Sequence, residues 1–298
     1  IKKMAKSMHP LWESTKGKEG YVSIEVNPQF AFSDDEYALT MSQARSFARL
    51  APNVMIKIPA TPEGLDAIED LTGIGVNVNV TLIFSLGQYR AVAQVFKRGA
   101  ERFLKNLSSK ETKKELINSN PESLSSVASF FLSRMDTHKE YGVDRLIDDR
   151  QVDQKLKGKA AIASAKMAYQ IFNEEFLVDE EFRNLGIRPQ RLLWASTSCK
   201  YPKDDPRYHP LLYVEPLIGP GTVNTLPPST VEDVLQTSLE FKETISRPLI
   251  IDQETGAVVI GSTAKATVPI TAGEIIEQLT LSGIDLKKVG ENLTRDGA

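Results

Sequence analysis

Cysteine is almost absent from this chain. The single thiol, Cys199, excludes an internal disulfide and suits a reducing compartment. Histidine is nearly as scarce. His9, His138 and His209 stand far apart, and with one cysteine they form no recognisable zinc set, so no metal site is expected. No apolar run reaches the length of a membrane span, and no signal-peptide core is present. Charge of one sign is not in excess either: the formal net charge of −3 points away from nucleic acid and from anionic membranes. What remains is ordinary globular composition. The 298 residues are 41% hydrophobic and 25% charged, enough for a sizeable core in one large α/β barrel or in two smaller domains. The chain opens on Ile1, inside an apparent helix, and the expectation is that further residues precede it in the natural protein.

Strand and helix patterns alternate. The strands read Tyr21–Val26, Val54–Ile58, Asn77–Phe84, Ser126–Arg134, Arg191–Thr197 and Thr222–Leu226. The helices read 1–14, Asp34–Leu50, Thr61–Leu71, Gly87–Leu107, Lys155–Phe176, Thr230–Glu240 and Ala272–Leu293, the last broken at Gly283. Pro248–Ile260 carries two β-branched runs around Glu254-Thr-Gly and reads as a hairpin. Such alternation predicts βαβ units and a parallel sheet, either doubly wound or a TIM barrel. The first strand is followed by no G-x-G-x-x-G, which weighs against a dinucleotide fold.

The sharpest chemical signal is Asn53–Thr61, NVMIKIPAT. It is a short apolar strand interrupted by Lys57, then a helix start with Thr61 as N-cap and Pro62 in the first turn. Desolvating an ammonium is costly, so a lysine in such a strand is either paired or functional. A neutral amine there could form a Schiff base with a carbonyl substrate. The other reading is a lysine snorkelling to water from a strand end. Three successive strands carry polar residues on one face: Glu25, then Lys57, then Asn79 and Thr81. In a barrel that face points inward, where catalytic groups converge near the C-terminal ends of strands. A structural ion pair between Glu25 and Lys57 is the alternative.

Several longer segments resemble the transaldolases of the bacterial and plant type. They are KEGYVSIEV at 18–26, NVMIKIPATPEGL at 53–65, GIGVNVNVTLIFS at 73–85, SVASFFLSR at 126–134, GKAAIASAK at 158–166, LWASTSCK at 193–200 and LIGPGTVNTLP at 217–227. The likeness covers roughly residues 8–235, and the tail GIDLKKVGENL is similar to the family's C-terminal helix. The resemblance implies an α/β TIM barrel and a Schiff-base reaction that needs no cofactor. A dihydroxyacetone unit would pass from a ketose phosphate (sedoheptulose 7-phosphate or fructose 6-phosphate) to an aldose phosphate (glyceraldehyde 3-phosphate or erythrose 4-phosphate), as in the pentose phosphate pathway.

By that resemblance Lys57 is the Schiff-base lysine, Glu25 moves protons through a water, and Thr81 orients that water. Asn79 holds substrate hydroxyls, and Ser129 lies near the three-carbon unit. Arg134 binds the substrate phosphate, a task suited to a guanidinium. Ser196 belongs to the phosphate site. Lys200 either adds a cation there or is a solvated loop lysine. Asn224 is expected to pack, and Cys199 to be an inert loop thiol. Sugar phosphates are the implied partners, with a monomer or homodimer in the cytoplasm, or in a plastid, as the expected setting.

Two departures from the pattern stand out. Asn27 replaces an aspartate found two places after the glutamate in many members. The six strands match the family's third to eighth, so the first-strand aspartate that assists carbon–carbon cleavage and the second-strand T-x-N-P loop have no counterpart. The expectation is a barrel domain lacking its first two strands, with 241–269 an insertion carrying a hairpin. Two other functions remain open beside transfer: a Schiff-base aldolase that releases free dihydroxyacetone, and a truncated, non-catalytic protein that binds sugar phosphates.

Overall fold

The computed structural model describes residues 1–27, 34–261 and 266–297. Helix α1 (Lys2–Ser14) leads into β1 (Val22–Glu25), and α2 (Asp34–Ala48) into β2 (Val54–Pro59). Then come α3 (Pro62–Gly73), β3 (Val78–Ile83), α4 (Leu86–Ser108) and β4 (Ser126–Phe131). Three helices, α5 (Ser133–Thr137), α6 (Val143–Asp149) and α7 (Ala160–Phe172), follow in turn. After a π turn at Asn173–Val178 and α8 (Glu180–Asn184) the chain enters β5 (Arg191–Ala195). It finishes with β6 (Thr222–Asn224), α9 (Pro228–Gln236), β7 (Leu249–Asp252), β8 (Thr267–Ile270), α10 (Ala272–Leu281) and α11 (Leu286–Gly297). No helix among the described residues is long and apolar enough to cross a membrane.

Strands β1 to β6 form one parallel sheet in chain order. An unbroken order without reversal is the winding of a barrel, since a doubly wound sheet reverses at a switch point. Among the described residues β1 and β6 are the sheet's edges and are not paired with each other. The two faces differ as period-two alternation requires. Even-numbered residues such as Ile56, Val80, Phe130 and Trp194 join the large core under the helices. Odd-numbered Met55, Val127, Leu193 and Ala195 form a small cluster on the inner face.

Local chemistry sets the element boundaries. Thr61 caps α3, its hydroxyl accepting from the Gly64 amide at 3.1 Å, with Pro62 in the first turn. Ser85 caps α4 in the same way. The strand read as Ser126–Arg134 stops at Phe131, because the ladder with β5 ends at Phe131–Ala195 and Leu132 leaves the extended region (φ −103°, ψ −84°). Arg134 therefore sits on the short helix α5 and not in a strand. The helix read as Lys155–Phe176 begins only at Ala160, because Gly158 adopts φ +70° ahead of it. Around 252–257 the Asp252 carboxylate accepts from the amides of Glu254 and Thr255, and the chain reverses so that Val258 bridges Ile251. The longer partner of β7 is β8, antiparallel, across a connection whose residues 262–265 lie outside the described residues.

Candidate active site

The pairing register places the polar residues side by side. Glu25 on β1 is opposite Lys57 on β2, and Lys57 is opposite Asn79 on β3. Thr81 lies one step further along β3, opposite Pro59. All four are odd-numbered, so all four face away from the helix layer. Glu25 ends β1, and Lys57 and Thr81 lie in the second halves of β2 and β3, toward the strand ends where the loops of a barrel gather substrate groups; Asn79 lies one turn of the pleat earlier on β3.

The Lys57 Nζ lies 3.6 Å from Glu25 Oε2, the lysine side chain being 29% exposed and the glutamate 49%. Lys57 is thus neither fully desolvated nor snorkelling into bulk water: it is a paired, solvent-reachable amine. A hydrogen-bond run crosses the same face. Ser129 donates to Asn79 Oδ1 at 2.7 Å, and Asn79 Nδ2 donates to Ser23 Oγ at 3.0 Å. This fixes the Asn79 carboxamide and leaves it facing a cavity of about 540 Å³. Lys57, Asn79, Thr81 and Ser129 all line that cavity, and Phe131 and Leu193 supply apolar wall. Its volume suits a small polar ligand of sugar size.

Arg134 and Ser196 form a second group beside the cavity. The Arg134 guanidinium lies 5.4 Å over the Phe131 ring, which itself faces the cavity. The Ser133 amide donates to Ser196 O at 2.9 Å, and the two serine hydroxyls are 3.0 Å apart. Ser196 holds φ +54° and Leu82 φ +59°, left-handed conformations that side-chain-bearing residues adopt at a cost. Both lie where strands end at this face. Lys200 is exposed on the loop beyond β5. Asn224 is half-buried in β6, with its Oδ1 shielded from solvent. Cys199 is half-buried, and burial pushes its thiol pKa up, as in an unreactive thiol. Among the described residues no group of histidine, cysteine and carboxylate side chains is arranged to hold a metal.

The sequence profile of the family described as Transaldolase/Fructose-6-phosphate aldolase matches residues 1–298, the whole chain. The chain belongs to that family. A protein of Thiobacillus denitrificans named Transaldolase is 43% identical over 227 residues, which is 74% of this chain and 57% of that protein. Similar proteins of Trichodesmium erythraeum and Nostoc punctiforme, named Transaldolase and Transaldolase 2, are 38% and 36% identical, each match covering 93% of this chain. Those two matches cover 69% and 70% of the relatives' own lengths, so with the 57% of the first the chain spans between just over half and about seven tenths of the proteins it resembles. Family membership fixes the fold class as α/β of the TIM-barrel type, and the six parallel strands in sequential order follow that winding.

A carboxylate cluster behind α5 escaped sequence reasoning. Asp136, fully buried, accepts from the Ala161 amide at 3.0 Å and from the Tyr213 hydroxyl at 2.8 Å. Asp144 accepts from the Gly158 amide at 3.0 Å and the Tyr201 hydroxyl at 2.6 Å. The available signal was weak: an aspartate two places after Arg134, in a stretch otherwise apolar or small.

Proposed function

We propose that this chain carries the Schiff-base site of a transaldolase, with Lys57 as the nucleophile. The observation that carries the reading is the Lys57–Glu25 pair at 3.6 Å, whose lysine lines the cavity. An amine attacks a carbonyl only when neutral, and Glu25 is placed to take the proton that Lys57 must lose. The free amine adds to C2 of fructose 6-phosphate or sedoheptulose 7-phosphate, and loss of water leaves a protonated imine. The C3–C4 bond then breaks. Its electron pair moves into the imine as an enamine, while the C4 hydroxyl loses its proton and C4 leaves as the aldehyde of an aldose phosphate. The enamine adds to the aldehyde carbon of a second aldose phosphate, glyceraldehyde 3-phosphate or erythrose 4-phosphate, and hydrolysis frees the new ketose.

Within this scheme Thr81 orients the water through which Glu25 moves protons. Asn79 and Ser129, already hydrogen-bonded to each other, take the hydroxyls of the three-carbon unit. Arg134 receives the substrate phosphate with Ser196 beside it, and Lys200 adds positive charge from the loop. The site uses no cofactor. The single thiol accords with a reducing, cytoplasmic setting in the pentose phosphate pathway, as monomer or homodimer.

One observation favours a second reading. Among the described residues no aspartate lines the cavity, so the base that would take the C4 proton is not on this face. Binding of a sugar phosphate without turnover fits that arrangement. A transfer assay separates the readings. The reaction of fructose 6-phosphate with erythrose 4-phosphate should form sedoheptulose 7-phosphate, and Lys57→Met should abolish it. Release of free dihydroxyacetone without transfer would instead identify an aldolase, and unchanged substrates a binding protein.

A further inference from the structure

The fully buried carboxylate of Asp136 and the half-buried carboxylate of Asp144 face each other through two tyrosines. The Asp136 carboxylate accepts from Tyr213, the Tyr213 hydroxyl meets that of Tyr201, and Tyr201 donates to Asp144. This chain of four oxygen groups has three contacts between neighbours. With both carboxylates ionised it holds only two protons, those of the tyrosines, and both point outward. The tyrosine oxygens then meet lone pair to lone pair. A third proton completes the chain: a protonated Asp136 donates to Tyr213, Tyr213 to Tyr201, and Tyr201 to the remaining carboxylate.

The charges around it fit the three-proton state. Lys159 is buried beside the pair and donates to the Lys157 carbonyl at 3.3 Å. One ammonium against one carboxylate is neutral, whereas two carboxylates leave an uncompensated buried charge. The remaining neighbours stand further out: Lys157 and Arg207 bear on Asp144, Asp153 on Lys159, and Tyr208 stacks on Tyr201 at 3.6 Å between ring centroids. The direction of titration agrees. Burial, then the charge of Asp144, push the Asp136 carboxyl up to about 8, and burial pushes the Lys159 ammonium down to about 8.

Asp136 shares α5 with Arg134, two residues away. Five residues are too few for a helix to hold itself. The backbone ties of α5 run to the end of β5, where Leu132 and Ser133 donate to Ala195 O and Ser196 O, both at 2.9 Å. The side-chain tie on its far side is Asp136, anchored to the first turn of α7 and to Tyr213. We infer that Asp136 and Tyr213, with the proton held along their chain to Asp144, are positioning residues that set Arg134 for a substrate phosphate. The inference rests on the assignment of the phosphate to Arg134. Loss of the held proton unbalances the buried charge, shifts α5 and weakens phosphate binding, while the Lys57 chemistry on the other strands is untouched.

The test is calorimetric binding of fructose 6-phosphate, with fructose as the unphosphorylated control, to the whole chain at pH 7.5 and pH 9. It reads out whether or not the protein turns substrate over. The sugar phosphate is already fully ionised at both pH values, so a change in affinity belongs to the protein. Affinity for fructose 6-phosphate should fall severalfold between the two pH values as the raised Asp136 carboxyl loses its proton. Asp136→Asn keeps an acceptor for Ala161 and a donor for Tyr213, and so imitates the protonated acid. It should bind as the wild type does at pH 7.5 and show a smaller fall at pH 9, the remainder being set by the Lys159 ammonium. Tyr213→Phe should bind weakly at both. Circular dichroism confirms folding of each variant. An unchanged fall in Asp136→Asn, or equal losses for fructose in Tyr213→Phe, would overturn the inference. If Arg134→Ala leaves the preference for the phosphorylated sugar intact, the phosphate assignment itself fails and the inference with it; the Lys57 reading is tested separately by transfer.

Discussion

At the scale of single residues, the two-residue period of a strand decides which side chains meet. Glu25, Lys57, Asn79 and Thr81 share a parity, and the register aligns the first three in one row. Ser129 follows from the same parity on β4 and reaches Asn79 directly. Asp136 was not legible, because its meaning comes from Tyr213, 77 positions away, and from the Ala161 amide, 25 away. A carboxylate in the connection after the fourth strand proves to be fully buried. The Lys57–Glu25 pair carries its own prediction. Glu25→Gln keeps shape and hydrogen bonding but cannot take a proton. It should lower kcat for transfer by about 100-fold or more while KM stays within a few-fold. Steady-state kinetics checks this. A Glu25→Gln enzyme with wild-type kcat would make the pair structural.

At the scale of elements, five strands of the parallel sheet were read to within a residue or two; the fourth was read three residues past its end at Phe131, and the connections were not read. Strands buried on both faces advertise themselves by composition. The segment after β4 did not, because SFFLSR is apolar enough to extend a strand on paper. Only the end of the β5 ladder and the turn at Leu132 convert it to α5. The packing of α7 against the segment after it was equally hidden. Lys166, buried in an alanine-rich helix, donates to the carbonyls of Pro216, Thr244, Ile245 and Arg247 at 2.7 to 3.2 Å. It ties α7 to the 216–218 turn and to the 244–247 loop that precedes β7. Leaving a buried acceptor without its donor costs about 1–3 kcal/mol. Lys166→Met should therefore lower stability by about that much in urea unfolding, since four carbonyls lose their donor and the thioether cannot replace it. An exposed control, Lys203→Met, should stay within about 0.5 kcal/mol of wild type. Equal stability of the two variants would show that the four carbonyls find water instead.

At the scale of the whole molecule, the sequential parallel sheet was readable from the alternation of patterns, and with it the inward face that gathers the polar row. Whether its edge strands pair was not; among the described residues β1 and β6 do not pair with each other. Strand pairing across the edges depends on backbone groups that carry no signature in side-chain sequence. Nor was the small β7–β8 sheet, whose two strands are 14 residues apart and pair antiparallel through positions that alternate only weakly. What the assembled face achieves is to bring an amine, an amide and two hydroxyls from three strands around one cavity, with the Glu25 carboxylate 3.6 Å from the amine. The central claim is that the amine is the nucleophile. Its most direct measurement is reduction with borohydride in the presence of fructose 6-phosphate, followed by peptide mass analysis. The account predicts a reduced three-carbon adduct on Lys57, absent in Lys57→Met and absent without the sugar. An adduct on Lys166 or Lys200 instead, or none on Lys57 while transfer proceeds, would contradict it.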